Sequence, residues 1–223
     1  MATVTSLISW VRNWKSILTR TYIKKFFKWR FWVGIVQRLW FEKNNPGVPW
    51  LTQNVVKLLK ENVRKTDVYL EFGSGQSTTW FASRVGKIYS VEHDKSWYSI
   101  VKNKVGKVSG LVYKLAQTKK DYLSIVDELK DKTVDICLVD GNWRRDCMLV
   151  AIPKIKIGGM LILDNAETKL PAYWDSLSMQ TSWEARGGHE RSKVAKIMKL
   201  LKNFVTVSTS EVSQDTIVWI RKA

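Results

Sequence analysis

Between residues 68 and 165 the chain repeats one alternation: a short, almost unbroken apolar run, then a stretch with helical spacing of apolar residues. The runs are "VYLEF" (68–72), "KIYSVEHD" (87–94), "LVYKLA" (111–116), "VDICLVDG" (134–141) and "GMLILDN" (159–165). A strand that is apolar on both faces has to be covered on both faces, which is the situation of a parallel strand between helical layers. Segments 51–63, 77–85, 96–105, 119–129, 143–155 and 192–203 read as the helices, with Thr52 placed to cap the first. Strands alternating with helices specify an α/β, doubly wound sheet. The tail departs from this pattern. "FVTVSTS" (204–210) and "DTIVWIRK" (215–222) are separated only by "EVSQ". So short a link cannot make a parallel crossover, and it predicts an antiparallel hairpin. The expected fold is therefore a mostly parallel seven-stranded sheet closed by a hairpin, an ending unlike the usual dinucleotide-binding order.

Two strand ends carry the candidate binding chemistry. The first strand runs into Glu71-Phe72-Gly73-Ser74-Gly75, followed by Ser77-Thr78. Glycines there let a ligand approach the backbone. The loop by itself leaves NAD, a phosphate and S-adenosylmethionine open. No Lys-Ser/Thr follows the glycines, which excludes a P-loop. An acid two residues before the first glycine would repel a pyrophosphate but suits a cofactor bearing an ammonium and a sulfonium. The second strand ends on Glu92, where a carboxylate can accept hydrogen bonds from both ribose hydroxyls of a nucleoside. At the ends of the fourth and fifth strands stand Asp140 and the pair Asp164-Asn165. In a doubly wound sheet these ends face one crevice.

Taken together, "EFGSGQST", "VEHD" (91–94), "VDG" (139–141) and "GGMLILDN" (158–165) resemble the class I S-adenosylmethionine-dependent methyltransferases. The resemblance covers about residues 50–223 and includes the terminal hairpin. Within that superfamily the pattern is similar to an uncharacterised bacterial-type branch. It implies a Rossmann-like methyltransferase fold with S-adenosylmethionine as cofactor. Glu71, Gly73, Gly75 and Ser77 would line the methionine end, Glu92 the ribose, and Gln117 the adenine. The set Asp140, Asp164 and Asn165 is also similar to the cation-dependent O-methyltransferases, where such residues hold magnesium. Hard oxygen ligands of this kind suit Mg²⁺. Acids at these positions serve equally in metal-free relatives, contacting substrate or the cofactor amine. Asp140 is the candidate catalytic base, and His93 and His189 are weaker candidates.

Residues 1–45 have a different character. They hold nine Lys/Arg against the single acid Glu42, a net +8 within a chain whose formal charge is +17. Six of the twelve Trp fall in the first fifty residues. Apolar residues at Leu7, Val11, Trp14, Leu18, Tyr22, Phe26, Trp29, Val33, Val36 and Trp40 mark one helical face, which Gly34 is placed to weaken. A basic, Trp-bearing helix of this kind fits an anionic membrane surface. The same stripe could instead pack against the domain or a second subunit. "NNPGVPW" (44–50) supplies the boundary, so residues 1–45 form a helical extension and 46–223 the methyltransferase domain. The long connection 166–191, following the fifth strand, is expected to overhang the crevice. There Tyr173, Trp174 and Trp183 could floor an acceptor and Gly187-Gly188 could hinge a lid, or the Trp could be ordinary packing.

The expected activity is O-methylation of a small-molecule or glycan hydroxyl. The charge also admits nucleic acid as partner, but "VDGNW" lacks the Asn/Asp-Pro-Pro-aromatic clamp used on flipped bases. A protein acceptor and a membrane-associated binding protein with a degenerate site remain open. Cys137 and Cys147 lie in apolar segments and read as reduced core thiols. No stretch is long and apolar enough to span a bilayer. The expected location is cytoplasmic, with peripheral membrane association through the extension.

Overall fold

A computed structural model describes residues 29–170, 191–211 and 214–223. Most of the extension, together with Tyr173, Trp174, Trp183, Gly187, Gly188 and His189, lies outside the described residues. The described strands are β1 (Val68–Phe72), β2 (Lys87–Glu92), β3 (Leu111–Leu115), β4 (Val134–Val139), β5 (Ile155–Leu163), β6 (Phe204–Ser210) and β7 (Asp215–Arg221). They form one seven-stranded sheet in the order β3-β2-β1-β4-β5-β7-β6. The first five are parallel, while β7 is antiparallel to both β5 and β6. The chain order reverses direction between β1 and β4, so the carboxyl ends of those two strands flank the crevice of such a sheet.

The helices are α1 (Trp29–Asn44), α2 (Gln53–Asn62), α3 (Gln76–Ala82), α4 (Lys95–Val105), α5 (Lys119–Leu123), α6 (Arg144–Ala151), α7 (Ala166–Lys169) and α8 (Arg191–Leu200). Strand residues alternate between two buried layers. Leu70, Phe72, Cys137, Val139 and Trp219 join a cluster with Tyr122, Met148 and Ile197 from α5, α6 and α8. Tyr69, Ile136, Leu138 and Val218 face Val55, Leu59, Trp80 and Phe81 from α2 and α3. Burial on both faces is the reason the strands read as continuous apolar runs. Cys137 and Cys147 are buried free thiols, and burial pushes both upward in pKa.

Several local expectations change. The helix expected over 119–129 is α for one turn and then 3₁₀ from Ser124 to Glu128. The one expected over 143–155 gives way to a 3₁₀ turn at Ile152–Lys154, where Pro153 provides no amide donor. β5 begins at Ile155 rather than 159, because its first residue pairs with Val134 before a register shift. Thr52 occupies the N-cap position of α2 but does not cap it. Its hydroxyl instead meets that of Thr209 at 2.5 Å. Gly34 leaves α1 unbroken from Trp29 to Asn44. None of the described helices is long and apolar enough to cross a membrane.

Candidate active site at the strand ends

Gly73 leaves β1 with φ +92°, and a Cβ there would lie 2.5 Å from the amide nitrogen of Gly141. A Cβ on Gly141 would in turn collide with the Tyr122 hydroxyl. The loops after β1 and β4 therefore touch backbone to backbone, and only glycine permits that approach. The amides of Asp140 and Gly141 both donate to the Phe72 carbonyl, at 2.9 and 2.6 Å. This contact sets Asp140 beside the glycine loop. Gly75 differs: a Cβ there would find nothing within 4 Å, so the space over this part of the loop is open.

Glu71 is fully buried behind the loop. Its Oε2 accepts from the Tyr69 hydroxyl at 2.8 Å and from Ser77 at 2.9 Å. Its Oε1 accepts from Ser90 at 2.6 Å and from Thr78. Thr78 Oγ1 also receives the Gly75 amide at 2.9 Å, which links the acid to the loop backbone. Burial raises the Glu71 carboxyl to about 7, against the downward pull of the four hydroxyls. Glu71 and Ser77, both expected at the cofactor, thus meet each other, and Glu71 braces the loop from its interior side.

Glu92 is likewise buried at the tip of β2. One oxygen receives the amides of His93 and Asp94 at 2.8 and 2.9 Å. The other receives both the amide and the hydroxyl of Ser74 at 3.0 Å. His93 Nδ1 lies 2.9 Å from this carboxylate but is not aligned as a hydrogen-bond donor to it. The carboxylate so ties the second strand end to the glycine loop. Two further residues hold Ser74: the Trp97 indole nitrogen donates to its carbonyl at 2.7 Å, and the Tyr113 hydroxyl sits 2.6 Å from its Oγ. Tyr113, Tyr98 and Lys102 also line a cleft of about 430 Å³ beside the edge strand. Among its lining residues, Tyr113 alone has a described contact with the loop, so the strand-end crevice is the better candidate site. Gln117 is exposed just past β3, and no described contact ties it to the loop.

Asp140, Asp164 and Asn165 converge, but on an arginine. The Arg144 guanidinium donates to Asp140 Oδ1 at 2.9 Å, to the Gly141 carbonyl at 2.9 Å, to Asn165 Oδ1 at 3.3 Å and to the Asp164 carbonyl. The buried Asp164 carboxylate accepts from Thr216 at 2.8 Å. Trp143 and Asn165, both at left-handed φ of 51° and 46°, start the helices after β4 and β5 on either side of this knot. Enclosure raises the Asp140 pKa, opposed first by the charge of Arg144. Its side chain nevertheless remains 38% exposed. The magnesium expected from the cation-dependent likeness does not fit this arrangement: the guanidinium stands against the side chains of Asp140 and Asn165, while the Asp164 carboxylate is engaged by Thr216. No three His, Cys, Asp or Glu among the described residues are grouped to hold a metal ion.

Arg144 is the residue that sequence reasoning missed. Its signal was the i, i+4 spacing from Asp140 across "DGNWR", which brings the two charges together at a helix start. Ser90 was missed for another reason. It meets Glu71 only because the parallel register pairs these two residues.

No model of a known protein family matches the sequence, and no curated protein matches it significantly. Solved structures do match in fold. An rRNA methylase from Streptococcus thermophilus superposes with a TM-score of 0.53 at 8% identity, covering 75% of this chain and 93% of its own. A Geobacter sulfurreducens methyltransferase gives 0.51 at 16% identity, covering 86% and 89%. A Streptococcus mutans protein, described as a candidate methyltransferase in complex with SAH, gives 0.51 at 10% identity, covering 74% and 94%. At such identities the likeness is one of fold alone: the mostly parallel seven-stranded sheet with its antiparallel final hairpin has the Rossmann-like methyltransferase fold.

Proposed function

We propose that the chain transfers a methyl group from S-adenosylmethionine to a hydroxyl of a small molecule or glycan. The observation that carries this reading is the Glu92 carboxylate, buried at the tip of β2 and hydrogen-bonded to the Ser74 amide of the glycine loop. A fixed carboxylate beside open space over Gly75 suits a ribose and the cofactor tail beyond it. Of the four donors on Glu92, only the Ser74 hydroxyl can rotate away, leaving Oε2, still held by the Ser74 amide, with a lone pair for a ribose hydroxyl. The S. mutans neighbour described with SAH supports the same cofactor.

The cofactor supplies a methyl group already activated on a sulfonium, so the protein must align an acceptor oxygen and remove one proton. Asp140 is suited to the second task. Arg144 holds its Oδ1, and its other oxygen has no partner among the described residues. A raised carboxyl pKa lies nearer the working pH and makes a better general base than an ordinary aspartate. Positive charge near the acceptor oxygen comes from Arg144, in the place where the cation-dependent enzymes use a metal.

An RNA acceptor is the second reading, favoured by the net charge of +17 and by the S. thermophilus rRNA methylase among the neighbours. Calorimetric titration with S-adenosylmethionine, S-adenosylhomocysteine and NAD tests the cofactor. Both adenosyl compounds should bind and NAD should not; failure of both sinks the proposal. A gel-shift titration with RNA then separates the acceptor readings.

A further inference from the structure

Helix α1 stands on the domain by one face and turns its apolar stripe away from it. Arg38 makes the attachment, pairing with Glu42 at 2.7 Å and donating to the Leu51 carbonyl at 2.6 Å, with Glu211 at 3.6 Å. Phe41 packs on the buried layer that holds Val48, Leu51 and Val55. At 3.6 residues per turn, Trp29, Val33, Val36 and Trp40 fall within about 60° of one another, roughly opposite Arg38. These four are 73%, 41%, 64% and 68% exposed. This part of the stripe is therefore not packed on the domain: the domain holds the side bearing Arg38 and Phe41 and leaves Trp29, Val33, Val36 and Trp40 outward.

We propose that this face of α1 docks the protein onto an anionic lipid bilayer. Charge decides the occupant. Residues 1–45 carry nine cationic side chains and one acid, so two copies brought together by the stripe would repel, while an anionic headgroup layer attracts. Trp at both ends of the stripe suits the interfacial zone, where an indole lies with its ring in the acyl boundary and its N–H in water. The attachment also sets the orientation. Because β7 runs antiparallel, pairing Ile217 with Leu163, the β6–β7 turn emerges at the carboxyl ends of the parallel strands. Glu211 lies in that turn and accepts the Gln53 amide at 2.5 Å. The next residue back, Thr52, donates its amide to Thr216 Oγ1 at 3.3 Å, and Thr216 in turn donates to Asp164. The helix is thus seated at the same end of the sheet as the crevice. Resting on the methyltransferase reading above, this places the acceptor at the membrane interface.

Flotation of the full chain with vesicles tests the surface. Vesicles of phosphatidylcholine with a quarter phosphatidylglycerol are compared with pure phosphatidylcholine. The variants are the triple change Trp29→Ser, Val36→Ser, Trp40→Ser and the single change Val36→Asp. The wild type should float with the anionic vesicles and at least tenfold less with the neutral ones. Both variants should lose at least tenfold of the anionic binding while keeping the wild-type circular dichroism, since the replaced side chains are exposed. Equal flotation of variants and wild type, equal binding to both vesicle types, or no flotation at all overturns the proposal. So does a wild-type dimer in gel filtration that the triple variant converts to monomer, because a second copy would then cover the stripe. Titration with S-adenosylhomocysteine in vesicle-free buffer reads the cofactor pocket separately, so failure of the surface and failure of the enzyme reading stay distinguishable.

Discussion

Replacing Glu71 by Gln should change how stability depends on pH, and the size of the change follows from the burial of one carboxyl. Burial lifts the Glu71 pKa from 4.5 to about 7 in the folded chain. Between those values the native state holds a proton that the unfolded chain has released, so stability falls as pH rises. The raised value confers its full benefit below the unfolded pKa and has lost it above the folded one. Integrated from pH 5 to pH 8 at 1.36 kcal/mol per unit, the loss is on the order of 2–3 kcal/mol. Gln does not titrate, so the variant lacks this component. An amide also turns one of the two acceptor atoms into a donor. Tyr69 and Ser77 on one oxygen, or Ser90 and Thr78 on the other, would have to rotate and accept instead. The protonated wild-type carboxyl already asks one of these hydroxyls to accept, so the further cost of the amide, which lacks the acceptor capacity of the acid's hydroxyl oxygen, is about 1 kcal/mol at any pH. The variant should thus be clearly less stable at pH 5 and draw level with, or pass, the wild type by pH 8. Urea unfolding followed by circular dichroism at pH 5, 6, 7 and 8 gives the difference curve, in which the remaining carboxyls cancel. A difference that stays flat across this range would refute the reasoning, because Glu71 would then be ionised throughout.

Gly73→Ala forces an L residue to φ +92° and drives its Cβ into the Gly141 backbone; a loss of roughly 3 kcal/mol or more is expected in thermal unfolding. Glu92→Ala should weaken S-adenosylhomocysteine binding by roughly 1.5–3 kcal/mol in calorimetry, the scale of a charged hydrogen bond; an unchanged affinity removes Glu92 from the pocket. Arg144→Met strips the donor from Asp140, Gly141, Asp164 and Asn165, at an expected cost of roughly 2–3 kcal/mol in urea unfolding. Arg144→Lys should not restore it, since an ammonium lacks the planar fork. Titration of the wild type with magnesium chloride should give no binding heat, because the cationic position among these acceptors belongs to Arg144; a saturable heat abolished by Asp140→Asn would return the metal to the site.

Much of the architecture was legible in one dimension. Five doubly apolar runs can be buried only in a sheet covered on both faces, and four residues between the last two strands allow only a hairpin. The meeting of Gly73, Gly75 and Glu92 at one end of the sheet was legible too, because they lie at the tips of strands whose ends can be read from hydropathy. Partner assignments were not. Glu71 looked like a ligand contact, yet its register neighbour Ser90 and the α3 hydroxyls of Ser77 and Thr78 enclose it. Thr52 looked like a cap and went to Thr209 across the fold. Which acceptor a hydroxyl meets depends on distances between segments far apart in the chain, and spacing along the chain does not contain them.

The same division separates the two claims about charge. Counting residues was enough to show a basic, Trp-bearing stretch before the domain and three hard oxygen ligands at the fourth and fifth strand ends. Both patterns admit more than one structure: a stripe can face in or out, and an oxygen cluster can surround a metal or a guanidinium. Tertiary packing made both choices. Arg38 is drawn to the Leu51 carbonyl and Glu211, turning the stripe outward, and Arg144 is drawn into the space where the β4 and β5 ends meet. Local sequence determined the elements and their faces because those depend on neighbours along the chain. Which charge stands in each gap was decided only when the strands lay side by side.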